Sequence, residues 1–150
     1  MSSDRAPLAV LIELSRGRVE EAGRLLAELD AQRRQAQGQL DTLDGYRSDY
    51  ARRLQASTRD GVTASNYHNF RRFIATLDEA ISQQNKIIAQ IDTRLDAGRQ
   101  RWHAEKRRLS SYEALKARQD RQARYHEQRL EQRLSDELSA GLHRRARRPH

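Results

Sequence analysis

Cysteine is absent from this chain of 150 residues, so neither a disulfide framework nor a thiolate metal site can be built. Its two prolines, Pro7 and Pro149, stand near the ends, and the long stretch between them contains no ring to break a helix. Hydrophobic residues make up 36% and aromatic residues 5%, too little to fill a broad globular core. No apolar run approaches the roughly 20 residues that span a bilayer. The patch from Leu8 to Leu14 is short and interrupted by Glu13, and it lacks the apolar stretch and cleavage site of a signal peptide. A cytoplasmic protein is expected.

The residues of common catalytic motifs are equally sparse. None of the five histidines, His68, His103, His126, His143 and His150, has another three or four residues away, so no helical metal motif is present. The seven glycines are scattered, which excludes a glycine-rich phosphate loop. A two-helix protein also offers no concave pocket in which a pKa is readily perturbed. The expectation is a non-enzyme with no cofactor, no metal and no small-molecule ligand.

What is present is helix-forming: Arg, Ala, Gln, Leu and Glu dominate. With Ile12 at heptad position a, the a/d series reads Ile12, Ser15, Val19, Ala22, Leu26, Leu29, Arg33, Ala36, Leu40, Leu43, Arg47, Tyr50, Leu54. Ten of these thirteen are apolar, enough to predict a left-handed coiled coil. The repeat stops at STRDGVTASN (57–66), where Asp60-Gly61 is a turn dipeptide and Thr63, Ser65 or Asn66 is placed to cap a new helix. A second series follows: Tyr67, Phe70, Ile74, Leu77, Ile81, Gln84, Ile88, Ile91, Leu95, Gly98, Trp102, Glu105, Leu109, Tyr112. Beyond Tyr112 it weakens through Lys116, Gln119, Ala123 and His126, and Leu130, Leu134 and Leu138 recur every four residues before Gly141.

Two seams joined by a short loop predict one all-α domain over 1–150, a long antiparallel two-helix coiled-coil hairpin. Its expected parts are a helix over about 8–56, a loop over 57–65, a longer helix over 66–140 and a frayed basic tail over 141–150. The net charge of +8 gathers at that end: residues 101–150 hold 14 Lys/Arg against 7 Asp/Glu, whereas 1–100 hold 15 against 14. A solvated helix end and a docking surface for an acidic partner both account for this. Nucleic acid is not expected, since no binding fold or aromatic platform accompanies the charge.

Polar residues inside the seams, Arg33 and Arg47 above all, suit register control, their stems packing while the guanidinium reaches the edge. Beside the seam, Gln39, Leu43, Tyr46 and Tyr50 fall on one stripe of the first helix. Opposite them come Tyr67, Phe70, Phe73, Leu77, Ala80 and Gln84. A two-helix seam is too narrow for all these rings, so they either thicken the core near the loop or form a partner site.

Three segments carry a family resemblance: AGRLLAELDAQRRQAQGQLDTLDGYRSDY (22–50), GVTASNYHNFRRFIATLDEAISQQ (61–84) and the run from Trp102 through KRRLSSYEALKARQ to Gln119. The Tyr pair, the Asn-Tyr-x-x-Phe-x-x-Phe-Ile pattern after the loop and the later Trp make the chain, over about 8–125, resemble the FliJ family of flagellar type III export. The resemblance implies a coiled coil like the rotor stalk of rotary ATPases. It implies three partners: the hexameric export ATPase, the cytoplasmic domain of the export gate membrane protein, and export chaperones that are escorted and recycled. Location would be cytoplasmic, peripheral to the inner-membrane export apparatus. Carried over residue by residue, the gate-binding patch falls on Gln39, Leu43, Tyr46, Tyr50, Phe73, Leu77, Ala80 and Gln84, the last being a position where the family admits another polar side chain. The basic end expected to face the ATPase contains Arg16, Arg18, Arg118, Arg121 and Arg124. Two alternatives are the equivalent stalk protein of a virulence injectisome and a basic nucleic-acid-associated coiled coil.

Overall fold

A computed structural model of the chain describes residues 5–61 and 63–147. Two α-helices are the regular elements there, α1 over Arg5–Asp60 and α2 over Ala64–Ala146. Both run further than their apolar periodicity predicts. The connection expected over 57–65 narrows, because Ser57 still faces the seam, half-buried, and Thr58 bonds back through Oγ1 to the Leu54 carbonyl at 2.6 Å. Gly61 then leaves the helix with φ +76°, a left-handed conformation that an L side chain resists and glycine adopts freely. Thr63 caps α2: its Oγ1 accepts from the Asn66 amide at 3.4 Å and its carbonyl from the Tyr67 amide at 3.1 Å. The expected frayed tail over 141–150 is also corrected. Helix continues through Gly141 to Ala146, since a single glycine costs only about 1 kcal/mol, and the last turn carries His143, Arg144 and Arg145, cations that suit a helix C-terminus. Arg148, Pro149 and His150 of that tail lie outside the described residues, as do 1–4 and Val62.

The tertiary contacts form two units, Glu20–Ala104 and Met1–Val19 with Glu105–His150. In the first of these, α1 and α2 run antiparallel on either side of the Gly61 turn, making a helical hairpin. Its core is Leu29, Ala36, Ile88, Ile91 and Leu95, with Leu26 and Leu40 packed against it. Every one of these belongs to the two predicted seams. Register is fixed by two matched ion pairs. Arg33 Nε donates to Asp92 Oδ1 at 2.6 Å, and Arg47 Nε donates to Asp78 Oδ1. Arg33 and Arg47 are two heptads apart, as are Asp78 and Asp92, so a single alignment satisfies both pairs together. Each guanidinium is held in its charged form, with its pKa raised by the hydrogen bond to the aspartate and then by the aspartate's charge.

In the other unit, Leu8, Ile12 and Ser15 of α1 are buried, while Leu109, Tyr112, Gln119 and Ala123 of α2 are half-buried. From Arg124 to Ala140 every residue is exposed. Ser15 is 2% exposed and its Oγ has no hydrogen-bond partner. A buried, unsatisfied hydroxyl is a cost that alanine removes, and alanine is also the better helix former. Ser15→Ala is therefore expected to stabilise the protein by about 1 kcal/mol, read as a raised midpoint in urea unfolding followed by circular dichroism. Leu95→Ala, at 3% exposure, should lower stability by about 2–5 kcal/mol through lost burial and a cavity.

Candidate functional site

Near the loop the seam carries its rings. Tyr50 lies with its centroid 4.4 Å from Phe73 and 6.2 Å from Phe70. On α1, the Arg53 guanidinium sits 5.3 Å from the Tyr50 ring centroid. Tyr50 is thus clasped between an aromatic ring of the opposite helix and a cation one turn along its own. A second cation–π contact, Arg71 to Tyr67 at 5.8 Å, covers the ring nearest the turn. Tyr50, Tyr67 and Phe70 are all half-buried, so the core does thicken here. Tyr46 and Phe73 remain open, at 54% and 43% exposure.

The far end of the predicted patch is tied by a polar clamp. Gln84 is buried at a seam position, and its Nε2 donates to the Ala36 carbonyl at 2.9 Å and to Gln39 Oε1 at 3.1 Å. Satisfying a buried amide from the facing helix locks the two helices in one alignment. Gln39, Leu43 and Gln84 line one shallow depression with Gly38 and Thr42. Of the eight residues assigned to the patch, Gln39, Tyr46 and Phe73 are exposed; Leu43, Tyr50 and Ala80 are half-buried. Leu77 and Gln84 are buried in the seam, because heptad spacing points them at α1. They act on the surface only through what they hold in place.

The sequence reading missed the partners of the polar seam residues: Asp92 for Arg33, Asp78 for Arg47, Arg53 for Tyr50. A signal for the first two was present in the matching two-heptad spacing of the arginines and aspartates. Arg53 gave none, since arginine follows tyrosine at many such spacings on exposed helix faces.

At the basic end Arg16, Arg18, Arg118, Arg121 and Arg124 are all exposed. Arg16 meets Glu13 at 3.8 Å on the same helix. Arg124 shares a shallow depression with Arg5, Ala123, Asp120 and Glu127, so acidic side chains are interspersed among the cations. Leu130, Leu134, Leu138 and Leu142 follow along α2, between 58% and 69% exposed. Among the described residues no group of histidine, cysteine and acidic side chains is placed to hold a metal, and no helix is long and apolar enough to cross a membrane.

The family model for the flagellar FliJ protein matches residues 4–148. The chain belongs to the flagellar FliJ family. It is 33% identical over 137 residues to the flagellar FliJ protein of Escherichia coli (strain K12), covering 91% of this chain and 93% of that one. It is 31% identical over 132 residues to the flagellar FliJ protein of Salmonella typhi, covering 88% and 90%. Membership makes it a component of flagellar type III export. The structure of a putative YscO homolog from Chlamydia trachomatis superposes with a TM-score of 0.71 over 99% of this chain and 96% of that one, at 15% identity, a likeness of fold. In this family member the rings opposite Tyr50 are expected to act as one unit. A double-mutant cycle of Tyr50→Ala and Phe73→Ala should return a coupling of about 0.5–1.5 kcal/mol in denaturant unfolding; additive effects would show that the two rings do not interact.

Proposed function

We propose that the chain is a non-catalytic adaptor that binds the hexameric export ATPase and links it to the cytoplasmic domain of the export gate membrane protein, while also escorting export chaperones. The observation that carries this reading is the pair Tyr46 and Phe73. They are large, exposed rings on a two-helix hairpin whose other aromatics near the loop are sheltered, and such rings are characteristic anchors of protein interfaces. Leu43, Tyr50 and Ala80 complete the gate patch at its margin, Gln39 extends it along α1, and Leu77 and Gln84 brace it from beneath. The ATPase would be met by Arg16, Arg18, Arg118, Arg121 and Arg124, whose charge favours an acidic surface and speeds encounter. Identities of 33% and 31% to flagellar proteins favour the flagellar system over the injectisome.

Tyr46→Ala with Phe73→Ala should leave helicity intact by circular dichroism and weaken binding to the purified gate domain at least tenfold. Unchanged binding would sink the patch assignment. Reversing Arg118, Arg121 and Arg124 to Glu should abolish capture by the purified export ATPase and any effect on its hydrolysis rate, with gate binding kept; retained capture would remove the basic end from the proposal.

A further inference from the structure

Further from the loop, along the same edge of the hairpin as Tyr46 and Phe73, the seam opens into a trough. Between α1 and α2 an open groove of about 420 Å³ has an apolar floor of Ala22, Leu25, Leu29, Ala97 and Gly98. That volume lies at the small end of ligand pockets, roughly 300–1,000 Å³, and the groove is a trough rather than an enclosed cavity. Its depth comes from missing bulk. A side chain at Gly98 would begin 2.9 Å from Leu26 Cδ2, so the helices approach closely there, and the alanines leave the floor low. The absence of any concavity, expected for a two-helix protein, does not hold at this point.

Leu25 is off the seam and 41% exposed, although an Arg or Gln there would have satisfied the helix equally well. The banks carry opposite charge: Arg94 and Arg101 on α2, Glu28 on α1. Among the described residues none of these three has an ion-pair partner. Elsewhere in this hairpin Arg33 and Arg47 do pair across to α2. Here the groove separates the charges and leaves them available.

We infer that this groove binds an amphipathic helix of a partner protein, one that inserts a Leu- or Ile-type side chain over Leu25 and carries carboxylates on the flank facing Arg94 and Arg101 and a cation on the flank facing Glu28. The banks also decide polarity. Turning a helix end for end exchanges its left and right flanks, so a partner with this pattern docks in one direction and the reverse meets like charge on both sides. The local product is a three-helix bundle, which buries more apolar surface than the two-helix seam allows. The site lies three heptads along the same edge from Tyr46 and Phe73, and its test does not depend on the adaptor reading.

The single tryptophan, Trp102, supplies the readout: its Nε1 lies 3.6 Å from the position of a side-chain carbon at Gly23, next to the groove. The probe is a helix-stapled designed peptide of about three heptads, with Leu at a and d, Glu on one flank and Lys on the other. A second peptide has the same composition with Glu and Lys alternating along both flanks, so that neither direction matches the banks. Titrated into the full chain, the matched peptide should shift Trp102 emission and bind at least tenfold more tightly than the alternating one. Leu25→Glu should abolish that binding with circular dichroism unchanged. A nitroxide at one end of the matched peptide should quench Trp102 more than one at the other end, and Arg94→Glu with Arg101→Glu and Glu28→Lys should exchange the two ends. Equal binding of both peptides, quenching that does not depend on the labelled end, binding that survives Leu25→Glu, or no binding at all would overturn the proposal. So would self-association of the free chain, seen in sedimentation and lost in Leu25→Glu, since the groove would then belong to a second copy.

Discussion

A pair of helices can bury only the side chains that point at each other, so burial is the scarce resource of this molecule. In a broad core an apolar residue finds shelter from several directions. In a two-helix seam it must stand at an a or d position or remain wet. Among the described residues the nine buried apolar ones, from Leu8 to Leu95, all obey that rule. The same scarcity raises the value of each polar group in the seam. Gln84 Nε2 donates to both the Ala36 carbonyl and Gln39, and Arg33 and Arg47 reach aspartates on α2. Only one alignment of the helices satisfies all of these contacts together.

Narrowness also makes function visible. An exposed leucine on a globular protein means little. On a hairpin with so few apolar residues, each one left outside the seam has no structural use that burial explains. Tyr46 near the loop, Leu25 at the Gly98 groove and the leucines from Leu130 to Leu142 are such residues, and Phe73 packs on Tyr50 yet leaves much of its ring open. They occupy different stretches of the two helices. A hairpin offers long faces on which several contacts can be kept apart. The adaptor reading and the groove both rest on that economy.

Aromatic rings near the loop show how a thin core is widened without a third element. Tyr50 packs on Phe73 and Phe70 and is covered by Arg53. The arginine does for the ring what a neighbouring strand or helix does in a larger domain: it excludes water from one face while keeping its own charge hydrated. Phe73 is therefore both part of the packing and part of the surface.

The two seams, the Asp60-Gly61 turn and the basic C-terminal segment were legible in the sequence, and the cap of α2 was narrowed to Thr63, Ser65 or Asn66, of which Thr63 takes it. Each depends on residues within one or two turns of each other, where periodicity, glycine's access to positive φ and hydroxyl capping act locally. Family membership was legible as well, from the rings and turn around 61–84. The helix ends were read less well, since the stretches from Ser57 to Asp60 and from Gly141 to Ala146 have no apolar repeat and stay helical through caps, charges and propensity. Which patch residues turn inward was legible too, since Leu77 and Gln84 stand in the predicted seam and Phe73 and Ala80 do not. Tertiary structure alone decided what they meet: Gln84 reaches the Ala36 carbonyl and Gln39, and Tyr50 lies between Phe73 and Arg53. It alone made the groove at Gly98, for a concavity exists only between two helices, and how closely they approach is set by the pair and not by either sequence alone.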